Sequence, residues 1–143
     1  MSKQNDIIDG WYHSHFPYIE KYLNHLNQKE VEDFVEKIWQ WDDENLSLIA
    51  HFLHTYHKPY LDNNYIYCKA FSLINNPDDL DNLIENLYVQ EPEAAAWETE
   101  LLIRIKEQTL KVFTFRPELQ DSIDELIKII DKELAKRNRR QAL

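Results

Sequence analysis

The stretch HFLHTYH places His51, His54 and His57 at i, i+3 and i+6 within an apolar run. Imidazoles in such a series could ligate a metal or relay protons, so their role separates an enzyme from a binder. On a helix, i and i+3 can share one ion, but i+6 lies about 120° around the axis from i. Zinc would need further ligands, such as Cys68 or the pair His13 and His15 in WYHSH, and neither C-x-x-C nor H-E-x-x-H spacing occurs. The three histidines are therefore read as structural or surface groups, and no metal is expected. Cys68 stands in the mixed apolar stretch YIYCKAF, where a thiol behaves as an inert small hydrophobe. No serine occupies a G-x-S-x-G elbow. No catalytic residue and no cofactor is assigned, and the chain reads as a non-enzyme.

Charge is more informative. The 143 residues carry 16 Lys and Arg against 26 Asp and Glu, a net −10. Lys136, Arg137, Arg139 and Arg140 lie within the last eight positions, which leaves residues 1–135 at −14. Such a surface repels nucleic-acid phosphates and draws in a basic protein. The acids are unevenly spread. Residues 30–44, EVEDFVEKIWQWDDE, hold seven acids and one lysine with Phe34, Trp39 and Trp41 interleaved. Residues 70–103 contain eight acids and no Lys or Arg. Aromatic anchors among steering carboxylates describe a protein-binding face. Trp41, Asp42, Asp43, Glu44, Asp78, Asp79, Asp81 and Glu85 are the expected contacts, with His51 and His54 at the edge as hydrogen-bonding groups. Trp39 fits the stripe of Val31, Phe34, Val35 and Ile38 and is expected mainly in the core, with Trp41 as the exposed anchor.

The elements that must position these residues are helical. A single glycine, Gly10, excludes phosphate loops, dinucleotide fingerprints and glycine hairpins. Punctuation falls to Pro17, Pro59, Asn75-Asn76-Pro77, Pro92 and Pro117. Between these marks apolar residues recur at three and four: Leu46, Ile49, Ala50 and Leu53; Leu80, Leu83, Ile84 and Leu87; Leu119, Ile123, Leu126, Ile130 and Leu134. The pattern predicts an all-α fold, a compact stack of six or seven antiparallel helices resembling a short α-solenoid. The predicted helices are about 17–27, 29–40, 43–57, 61–74, 78–89, 93–112 and 117–138. Residues 1–143 read as a single domain, with 1–16 an irregular N-terminal segment and 136–143 a basic tail explained by the helix dipole. No apolar run approaches the ~20 residues of a membrane span. The start lacks signal-peptide features and the cysteine is single, so a cytoplasmic protein is expected.

The stretch EAAAWETELLIRI at residues 93–105, following LIAHFLHTYHKPYLDN, resembles the immunity protein 30 family of bacterial polymorphic-toxin systems. The similarity spans roughly residues 43–130, and Lys106-Glu107 stand where the family pattern often places an asparagine. The resemblance implies a helical immunity protein, of the kind used in contact-dependent growth inhibition, whose partner is the C-terminal domain of a cognate toxin. The acidic surface implies that this domain is basic, as an RNase or DNase would be, and that inhibition occludes its active site without touching nucleic acid or membrane. The alternative is a helical-repeat adaptor for another basic protein. Within the motif Trp97, Leu101 and Ile105 recur at i, i+4 and i+8 and should pack inward, while Arg104 is expected to reach a carboxylate or helix-end carbonyls.

Overall fold

The computed structural model describes residues 16–142. His13, His15 and residues 1–15 of the expected irregular segment 1–16 lie outside the described residues, and Phe16 already begins a helix. Among the described residues there are eight α-helices and no strand: α1 (Phe16–Asn24), α2 (Gln28–Lys37), α3 (Asp43–Thr55), α4 (Asn63–Leu73), α5 (Pro77–Ile84), α6 (Glu91–Ala96), α7 (Thr99–Phe113) and α8 (Gln120–Ala142). Single 3-10 turns at Ile38–Gln40 and Pro117–Leu119 precede α3 and α8. None of these helices is long and apolar enough to cross a membrane.

Local chemistry sets where each helix begins. Asn27 and Glu30 form a reciprocal capping box at α2, with N···O distances of 2.9 and 3.0 Å. Asp42 caps α3 by accepting from the Asn45 amide at 2.9 Å, and Asp62 caps α4 by accepting from the Tyr65 amide at 3.1 Å. Asn76 caps α5 ahead of Pro77, whose missing N–H costs nothing in a first turn. Each side-chain acceptor satisfies an amide that the helix itself leaves orphaned.

Packing follows the apolar stripes. Helix α3 lies against α4 and α5, α4 against α7, and α7 against α8, while α6 rests on α8. Leu46, Ile49, Ala50, Leu53, Leu80, Leu83, Tyr67 and Phe71 are buried in one cluster that also takes Ile19, Leu23, Val35 and Ile38. A second cluster joins Cys68, Val89, Ala94, Trp97, Leu101, Leu102, Ile105, Leu126 and Ile130. Helix α4 serves both, presenting Tyr67 and Phe71 to the first and Cys68 to the second. Burial pushes the Cys68 thiol well above its ordinary value.

One predicted helix is in fact two. Residues 93–112 do not run as a single helix: α6 ends at Ala96, Trp97 turns extended at φ −86° and ψ 157°, and α7 starts at Thr99. Trp97, Leu101 and Ile105 are all buried, yet Trp97 reaches the core from the elbow and not from the α7 stripe. Its ring packs edge-on against Tyr65 at 5.8 Å. Arg137 holds the elbow from α8, donating to the carbonyls of Ala94, Ala95 and Trp97 and to Thr99 Oγ1, and it pairs with the buried Glu133 at 2.9 Å. The expected basic tail is therefore helical, and one of its cations has an internal role. Arg104 meets both of its expected partners, the Ser72 carbonyl at 3.0 Å and the Glu107 carboxylate at 3.3 Å.

Gln108 performs the same service for α4, donating from Nε2 to the carbonyls of Phe71, Ser72 and Ile74 while fully buried. Gln108→Leu keeps the volume and removes the donor, leaving buried carbonyls with fewer partners at a cost of roughly 1–3 kcal/mol. Urea unfolding should show that loss, and an unchanged midpoint would contradict the capping role.

Candidate functional site

The first turns of α3 and α5 converge on one side of the molecule. Between them lies an open cleft of about 700 Å³ lined by Asp42, Asp43, Glu44, Ser47, Leu48, Asn76, Asp78, Asp79 and Asn82. Two carboxylates of its wall also hold the frame. Asp42 accepts from both the backbone and the side-chain nitrogen of Asn45, at 2.9 and 3.0 Å. Asp43 Oδ2 accepts from the Asn75 and Asn76 amides at 3.0 and 2.9 Å, which ties the start of α3 to the link between α4 and α5. Glu44 and Asp78 are exposed and Asp79 is half-buried. Among the described residues none of these five carboxylates forms an ion pair.

The electrostatic consequence shows at Asp79. A carboxylate in the first turn of a helix is ordinarily favoured. Burial nevertheless raises the Asp79 carboxyl above its ordinary value of 3.8, and Asp43, Glu44, Asp78 and Asp42 push it the same way. Burial, reinforced by like-charge crowding, outweighs the helix end. The cleft thus holds uncompensated negative charge at a cost to the protein that carries it.

Other expected contacts fall elsewhere. Asp81 on α5 and Glu85 just past its end are gripped by Arg116, which also binds Glu118. These carboxylates raise the guanidinium above its ordinary value and are neutralised within the fold. His51 and His54 flank the buried ring of Tyr67, at centroid distances of 6.1 and 4.6 Å. The Tyr67 hydroxyl donates to the Leu83 carbonyl at 2.6 Å. Burial lowers His51 below 6.5, against an opposing hydrogen bond to the Asn82 backbone, and burial lowers His54 likewise. Among the described residues no group of three His, Cys, Asp or Glu side chains is arranged to hold a metal ion.

Trp41 is not the freely exposed anchor its position suggests. Its ring is half-buried, packs on the main core and meets Phe34 edge-on at 5.8 Å. The chain turns extended at Trp41 after the 3-10 turn, and that geometry folds the indole back over α2. Trp39 is also half-buried, with Lys69 Nζ 4.6 Å from its ring centroid and its buried Nε1 without an acceptor among the described residues. Sequence inspection passed over Ser47, Leu48, Asn76 and Asn82 as cleft residues, although Asn76 before Pro77 already carries a helix-start signal.

Three outcomes follow from this geometry. Asp79, with its raised value, contributes stability in full below 3.8 and loses it as the pH rises through the folded value. Asp79→Asn should therefore exceed the wild type in stability at pH 7, by about 0.5–2 kcal/mol as for other surface-charge relief. Its advantage should vanish below 3.8, and denaturant titrations across pH would show it. His51 acts in the opposite sense, giving stability present above 6.5 and lost as the pH falls through its folded value. Trp41→Ala should lower the unfolding free energy by about 1–3 kcal/mol, less than the 3–5 kcal/mol expected for Trp97→Ala. A Trp41→Ala variant with the wild-type melting temperature would contradict the packing on Phe34. No protein-family model, curated protein or solved structure matches this chain, so the use of the cleft rests on its own residues.

Proposed function

We propose that the protein is an immunity protein that binds a basic toxin domain through the cleft between α3 and α5 and blocks it by occupying its charged surface. The observation that carries this reading is the gathering of Asp42, Asp43, Glu44, Asp78 and Asp79 around one opening, with no cation in its lining among the described residues. A protein gains nothing for its own stability from Asp79 in that company. A cationic partner turns the same repulsion into attraction. Nuclease domains carry cationic clefts because they hold phosphates, so an acidic inhibitor is complementary to them. The likeness of residues 93–105 to immunity proteins supports the same assignment. Those residues form the α6–α7 elbow and the inner stripe of α7, so they belong to the scaffold and leave the contact surface to the cleft.

The roles of the wall residues decide how to test this. Asp42 and Asp43 hold backbone amides and cannot be removed without loosening helix starts. Glu44, Asp78 and Asp79 make no such bond to a neighbouring element and can be neutralised together as Glu44→Gln, Asp78→Asn and Asp79→Asn. The triple variant should fold at least as stably as wild type. It should associate with the cognate toxin on the order of tenfold more slowly at low salt, with a flatter ionic-strength dependence. Co-expression with candidate nuclease domains supplies the partner, and protection of the cells is the readout. An association rate of the wild type that ignores ionic strength would overturn the assignment. If no toxin domain is neutralised while another basic protein binds at the cleft, the adaptor reading takes its place.

A further inference from the structure

Hydroxyls in these helices turn back on their own backbone. Thr55, Ser72, Thr109 and, at the end of α7, Thr114 each donate to the carbonyl three residues earlier, at 2.9, 2.6, 2.8 and 2.7 Å. Ser47, in the second turn of α3, does not. Its hydroxyl has no hydrogen-bond partner among the described residues, although only 2 % of the residue is exposed. Among the described residues the unpaired side-chain atoms shut off from solvent belong to Trp39 and Gln108. The Ser47 hydroxyl is unpaired without being shut off, so the small exposed part of the residue includes its oxygen, and it opens on the acidic cleft. A hydroxyl left this deep without a partner costs the fold a hydrogen bond that something entering the cleft can make good.

The approach to that hydroxyl defines the entrant. Asp43 and Glu44 stand one turn before Ser47 and Leu48 on the same face of α3, and Asp78 and Asp79 close the cleft from the first turn of α5. An acidic rim asks for a cation, the hydroxyl at the floor for a hydrogen-bond donor, and the half-buried Leu48 for an aliphatic stem. A divalent ion finds no nest, because among the described residues no three carboxylates, imidazoles or thiols converge as metal ligands. A guanidinium is a broad plane that pairs edge-on with a carboxylate, and a single recessed acceptor does not suit it. An ammonium on a methylene chain does suit it. Its compact head carries three donors, enough for Ser47 Oγ and two carboxylates, while the stem lies on Leu48. We propose that the cleft is a binding site for an alkylammonium group, which enters head first toward the Ser47 hydroxyl between the carboxylates of α3 and α5. Such a group is borne by a lysine side chain or by a free polyamine. As the toxin's lysine it deepens the immunity reading and rests on it, and as a polyamine it stands without that reading.

NMR of the full chain at low salt, titrated with Nα-acetyl-lysine N-methylamide, should show saturable shifts at the amides of Ser47, Leu48 and Asp79. Nα-acetyl-arginine N-methylamide carries the same charge and should bind at least about fivefold more weakly. Spermidine separates the two sources. Saturation by the lysine compound assigns a partner's side chain, whereas shifts with spermidine alone assign a free polyamine. For whichever ligand binds, Ser47→Ala should weaken affinity about tenfold, the loss of one hydrogen bond to a charged group. The same variant should leave circular dichroism and the melting temperature unchanged, since the hydroxyl has no partner in the fold. Asp79→Asn should weaken binding as well. A Ser47→Ala protein that binds as tightly as wild type would overturn the proposal, leaving the hydroxyl to water, and so would equal affinity for the arginine compound. Failure of all three compounds to bind would overturn it while sparing the immunity reading, which needs only a charged surface. Binding of the lysine compound without neutralisation of any toxin domain would sink the immunity reading alone.

Discussion

Helices must end, and the last carbonyls of each need donors that the helix cannot supply. Many helices solve this locally with a glycine in the left-handed region. This chain has one glycine, Gly10, and its helices close with negative φ: −92° at Tyr56, −79° at Ile74, −65° at Glu85 and −86° at Trp97. The donors come from other helices. Asn63 of α4 serves Leu53 and Tyr56 after α3, and Gln108 and Arg104 of α7 serve the end of α4. Tyr67 and Asn64 of α4 serve Leu83 and Tyr88 around the end of α5, and Arg137 of α8 serves the end of α6. Each cap is therefore also a tertiary contact that fixes the register of one helix on another. Secondary and tertiary structure here depend on the same bonds.

That economy explains where the acidic cleft can form. With helix ends closed from within, the first turns of α3 and α5 are left to face outward together, and their capping residues are acidic or amide side chains by ordinary helix chemistry. Asp42 and Asp43 serve the fold, whereas Glu44, Asp78 and Asp79 add charge beyond what capping needs. Arg116 draws a boundary by removing Asp81 and Glu85 from the same field. Negative charge is thus concentrated at one opening and neutralised just outside it, the distribution expected of a surface that gives up some stability for recognition.

Much of this was legible in the residues. The stripes through Leu46, Ile49 and Leu53 and through Ile123, Leu126 and Ile130 lie buried as their spacing implies, and Pro77 and Pro92 stand in the first turns of helices where they punctuate the sequence. The break at Trp97 was not legible, because three alanines and TELLIRI favour helix on both sides, and the indole's burial against Tyr65 and the hold of Arg137 on the elbow are both long-range. Trp41 was misplaced because its partner, Phe34, belongs to the preceding helix and the intervening 3-10 turn redirects the chain. The pairing of Arg116 with Asp81 spans 35 residues and leaves no periodic trace. Local chemistry writes itself into spacing, and long-range pairing does not.

The caps between helices have a consequence for how such a protein can change over generations. A backbone carbonyl accepts a hydrogen bond whatever side chain its residue bears. The caps themselves therefore place no demand on the side chains at the capped ends, whereas Asn63, Asn64, Gln108 and Arg137 cannot be exchanged for residues without donors. The lineage would hold a few interior amides and guanidiniums fixed while outward positions drift. A protein built this way could change its surface residues alone, with its frame inherited intact.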